Sequence, residues 1–125
     1  MRLASCIAAI LCAAASPALA TGTILCRSTI SPTDGPALSL VVGAGGIVQA
    51  RLIQGGEPFA TGEGAGAPMI AQTWLDRWQL KLDIVDANAD ARIARLDARR
   101  RAGEDYLGIL ILHGRTWRVR CEESG

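Results

Sequence analysis

The chain of 125 residues is poor in aromatic side chains, at 4%, and carries one histidine and a formal net charge of only +1. The low aromatic content argues against a stacking platform for bases or sugars. The near-neutral balance lacks the basic excess of a nucleic-acid binder. The lone imidazole, His113, stands beside Gly114, where it reads as a solvated turn residue. A Ser-His-Asp or Cys-His site holds its histidine between a nucleophile and an orienting acid, and a zinc site needs three or four ligands. Neither pattern is present, so no metal and no cofactor are expected. The carboxylates Glu57, Glu63, Asp76 and Asp83 form no paired motif for glycosidase chemistry and read as surface charges. The expectation is a non-enzyme, with a small hydrolase ranked last.

Long apolar runs are also missing. The longest, Leu3 to Ala15, falls short of the roughly 20 residues of a membrane-spanning helix. It follows Arg2, is broken by Ser16-Pro17 and leads to Ala18-Leu19-Ala20, a small-x-small cleavage site. These are the parts of a secretory signal peptide cleaved after Ala20. Residues 21–125 would then form one small exported domain, periplasmic or secreted. The box Leu3-Ala4-Ser5-Cys6 has the letters of a lipid-attachment site but no apolar stretch before it.

Cleavage leaves two cysteines, Cys26 and Cys121, near the two ends of the mature chain. In an oxidising compartment two cysteines allow one pairing. That pairing predicts a disulfide between the first and last strands. A redox role would favour Cys-x-x-Cys, which is absent.

Short apolar stretches separated by Gly, Pro, Asp and Ser fill the rest, the mark of an all-β domain. Strands are expected at 24–29, 37–42 and 47–54. The segment from Trp78 to Ile84 alternates Trp78, Leu80, Leu82 and Ile84 against Gln79, Lys81 and Asp83, which is period two. Tyr106 to Leu112 and Arg115 to Cys121 read as a hairpin about His113-Gly114, with Trp117, Val119 and Cys121 inward. Residues 61–68 read as a loop within one domain. Residues 90–102 are ambiguous: Ala, Arg and Leu favour a short helix, whereas Ala94, Leu96 and Ala98 alternate against Arg95, Asp97 and Arg99 and would pair with the Ile84 strand across the turn from Asp86 to Asp90, which makes a strand the preferred reading. The predicted fold is a small antiparallel β-barrel or β-sandwich of about seven or eight strands.

The stretch from Val41 to Val48 holds a Gly-x-Gly turn after a strand, with Glu63 about 20 residues on, as in dinucleotide folds. Val48 stands where the third glycine belongs, and Gly55-Gly56 leave no room for a crossover helix, so a hairpin turn is expected. Two groups are candidate binding residues. Trp74 and Trp78 would line the mouth of a pocket for a small apolar or amphiphilic ligand, or a sugar. Arg99, Arg100, Arg118 and Arg120 would face an anionic partner, such as a lipid headgroup or an acidic envelope protein. The functional expectation is an exported binding module, with a protein-interaction or inhibitor-like module as the alternative. In size, export and terminal cysteines the chain is similar to the small periplasmic inhibitors of c-type lysozyme, which implies a β-barrel. It has no Ser-Gly-x-x-Tyr loop, and Thr61-Gly62-Glu63-Gly64 supplies neither tyrosine nor lysine.

Overall fold

A computed structural model describes residues 22–62 and 64–124. The expected leader and Glu63 lie outside the described residues. Nine strands form one antiparallel sheet: β1 (Gly22–Ser28), β2 (Ala37–Gly43), β3 (Gly46–Gln54), β4 (Phe59–Ala60), β5 (Met69–Leu75), β6 (Gln79–Val85), β7 (Arg92–Arg99), β8 (Tyr106–Leu112) and β9 (Arg115–Ser124). Their order is β4-β3-β2-β1-β9-β8-β7-β6-β5. The sheet curls into a half-barrel in which β1 and β9, the first and last strands among the described residues, are neighbours in the middle.

The strand count exceeds the expected seven or eight because of the two-residue β4. Since every neighbouring pair is antiparallel, β4 and β5 run in the same direction, and β3 lies close to both. They act as two pieces of one barrel strand, interrupted by the glycine-rich loop 61–68. No ladder joins β3 to β5 among the described residues, so the sheet stays open there.

Alternation fixes what is inside. Ile24 and Cys26, Leu38 and Leu40, Leu80, Leu82 and Ile84, Ala94, Leu96 and Ala98, Leu110 and Leu112, and Val119 and Cys121 are buried in one cluster. A ligand inside the half-barrel would have to displace these side chains. The cysteines are directly paired across β1 and β9 and form the expected disulfide, 95 residues apart in sequence. This bond fits an oxidising, extracellular-type environment.

One ambiguity is resolved and one expectation needs correction. The preferred strand forms within 90–102: residues 92–99 are β7, hydrogen-bonded to β6 and β8, and no helix is present there. Burial of Ala94, Leu96 and Ala98 on one face outweighs the helix propensity of Ala and Arg, as tertiary pairing commonly does. Trp78 does not continue the inward row of Leu80, Leu82 and Ile84. It sits in the β5–β6 turn, 44% exposed, because the Asp76 carboxylate accepts the backbone N–H groups of Trp78 and Gln79, each at 2.7 Å. This Asx turn begins the strand only at Gln79.

Candidate functional site on the outer face

The alternation that fills the core also sorts the outer face. On β8 the outward residues are Leu107, Ile109 and Ile111, all apolar. Leu107 is 50% exposed and Ile109 45%. Register places Leu107 between Arg99 of β7 and Arg120 of β9, and Ile109 between Asp97 and Arg118. One strand further, Arg120 stands directly opposite Arg27 of β1. Like charges in that position repel and destabilise a sheet.

None of Arg27, Arg99, Arg118 and Arg120 is in an ion pair with an acid among the described residues. Three shallow clefts meet at Arg120. One, of about 490 Å³, is lined by Leu107, Ile109, Arg118 and Arg120. A second, of about 330 Å³, is lined by Leu25, Arg27, Arg120 and Glu122. The third, of about 300 Å³, runs from Leu107 and Arg120 to Glu104 and Asp105 in the β7–β8 turn. The result is an apolar stripe bordered by guanidinium groups with unused hydrogen-bond donors. Such an arrangement can hold an anionic oxygen cluster in a planar fork while covering an adjoining hydrocarbon.

Of the four predicted arginines, Arg99, Arg118 and Arg120 come together here. Arg100 does not. Its guanidinium lies 4.3 Å from the centroid of the Tyr106 ring. Its Nε donates to the Arg77 carbonyl at 2.6 Å, and its Nη1 stands 3.0 Å from Glu123 Oε1. Arg100 therefore ties the β5–β6 turn to the end of β9. Arg27 was missed by sequence reasoning. The signal for it was the disulfide: once Cys26 pairs with Cys121, the next residues, Arg27 and Arg120, face each other on the opposite side of the sheet.

The two tryptophans lie at the β5–β6 hairpin tip, away from this face. Trp74 is 57% exposed on the outer side of β5. Its indole N–H donates to Asp76 Oδ2 at 2.9 Å. The N–H groups of Trp78, the Trp74 indole and Gln79 hold the Asp76 carboxyl below the usual carboxylate range. The Tyr106 hydroxyl donates to the Asp76 carbonyl from inside the sheet, and burial pushes its pKa up. His113 is exposed in the β8–β9 turn. No group of three or more His, Cys, Asp or Glu side chains is placed to hold a metal among the described residues. No helix among them is long and apolar enough to cross a membrane.

No family model, no curated protein and no solved structure matches this chain.

Proposed function

We propose that this chain is an exported, non-catalytic binding module that captures an anionic phospholipid on the outer face of β1, β9, β8 and β7. In this reading the leader is removed after Ala20 and the domain works in the periplasm. The observation that carries the reading is the exposed stripe of Leu107 and Ile109 flanked by Arg99, Arg118 and Arg120, with Arg27 held against Arg120. An unrelieved like-charge pair costs stability and is offset when an anion binds between the two groups. The apolar stripe accounts for a lipid rather than a free anion, because its exposed area gains from contact with acyl chains. The cluster of buried side chains inside the half-barrel supports a surface site for the amphiphile over a barrel cavity.

Co-sedimentation with vesicles tests this. The mature domain is expected to pellet with phosphatidylglycerol vesicles and not with phosphatidylcholine vesicles. Binding should fall at high ionic strength, where exposed charges are screened. The double variant Arg118→Gln/Arg120→Gln should bind about tenfold less tightly or worse, since each arginine near an anionic surface contributes ~1 kcal/mol. Equal binding to both vesicle types, or none to either, contradicts the proposal.

A further inference from the structure

Another cleft lies on the same outer surface, centred on β5 and β6 and adjoining the arginine face at β7. It has a volume of about 430 Å³ and is lined by Trp74, Gln72, Lys81, Asp83, Arg95 and Asp97 among others. This is within the range of roughly 300–1,000 Å³ typical of small-molecule sites. We infer that this cleft is a binding site for a neutral saccharide, with the Trp74 indole as the platform for one sugar ring.

Three observations carry this. First, the exposed indole is fixed. Its N–H is tied to Asp76 Oδ2 at 2.9 Å, and Asp76 is locked in turn by the N–H groups of Trp78 and Gln79. An exposed ring held at its edge offers its face without the entropy cost of ordering it. The C–H face of a pyranose is apolar and packs on such a ring, while its hydroxyls stay free for polar partners.

Second, the polar partners stand beside the ring in register. Trp74 pairs with Lys81, which pairs with Asp97. Gln72 pairs with Asp83, which pairs with Arg95. Asp83 is engaged by Arg92 and Arg95, each at 3.7 Å. Lys81 and Asp97 form no ion pair with each other or with a third group among the described residues. They supply donors and acceptors for hydroxyls.

Third, the charges cancel. Lys81 and Arg95 are balanced by Asp83 and Asp97, so the cleft has no preference for an anion. That separates it from the arginine face and favours a neutral, hydroxyl-rich ligand over a phosphate or a carboxylate.

Intrinsic fluorescence of the mature domain, titrated with cellotriose, maltotriose and the N-acetylglucosamine trimer to ~10 mM, tests the inference. At least one of the three is expected to give a saturable change. The change should be lost in Trp74→Ala and kept in Trp78→Ala. Asp97→Asn should weaken it about tenfold, the usual cost of a hydrogen bond to a charged group. Arg118→Gln/Arg120→Gln should leave it unaltered, which distinguishes failure of this site from failure of the lipid reading. Circular dichroism confirms that each variant is folded. No saturable change with any trisaccharide, or an unaltered change in folded Trp74→Ala, overturns the inference.

Discussion

Arg120 and Gly108 show how much a single position decides in this molecule. Arg120 faces Arg27 across β9 and β1, so removing its charge relieves repulsion. Arg120→Gln, which keeps most of the stem, is expected to raise stability by ~0.2–1 kcal/mol in a urea melt while weakening binding to anionic lipid. A variant that loses both stability and binding would contradict this account of the pair. Gly108 works by lacking a side chain. A Cβ there would run into the Asp97 carbonyl and lie 2.5 Å from the Ala98 Cα. Gly108→Ala is therefore expected to cost ~1–3 kcal/mol, the range for overpacking a tight site, read as a lowered urea midpoint. Asp76 sets an acid limit. Its folded pKa lies below its ordinary value, so its charge stabilises the fold above the usual carboxylate range, and that contribution is lost as the pH falls through the folded pKa. The stability gap between the parent and Asp76→Asn should hold from neutral pH to ~4 and close below it. A gap unchanged at lower pH would remove Asp76 from this role.

At the scale of elements, strands were legible wherever alternation was bounded by turn residues. The β8–β9 hairpin is the clearest case. His113 and Gly114 take φ of 48° and 80°, the left-handed pair that a tight two-residue hairpin turn requires. Gly114→Ala should destabilise by ~1 kcal/mol because φ there is positive, and His113→Asn should be tolerated, both measurable by thermal melts. β7 was half legible. Its composition suits a helix, but its alternation and the short turn after Ile84 favour the strand, and the pairing with β6 and β8 settles it. β4 was illegible because two residues carry no periodicity. The exposure of Trp78 was hidden for a related reason: its parity matched the core row, but the Asp76 side chain captures its backbone N–H and ends the turn one residue later.

At the scale of the whole molecule, the disulfide is the feature most completely read in advance. It joins strands at the two ends of the described chain that are also direct neighbours in the sheet. The double variant Cys26→Ser/Cys121→Ser should lose roughly 2–5 kcal/mol, with hydrogen exchange increasing first along β1 and β9. Protection unchanged in these strands would show that the pairing does not depend on the bond. The arginine face was only partly legible. Arg99, Arg118 and Arg120 share outward parity, but their meeting depends on β7, β8 and β9 being consecutive in the sheet, and Arg27 enters only through the β1–β9 pairing. Arg100 was misleading because sequence adjacency placed it with Arg99, although the opposite parity directs it to Tyr106. The central claim is that an anionic amphiphile binds outside a filled half-barrel. An amide chemical-shift titration of the mature domain with a short-chain phosphatidylglycerol, kept below its micelle concentration, tests this most directly. The account predicts shifts concentrated at Arg27, Arg99, Leu107, Ile109, Arg118 and Arg120, with Leu38, Leu40 and Leu96 unmoved. Shifts centred on those three leucines, or no shifts at all, would contradict it.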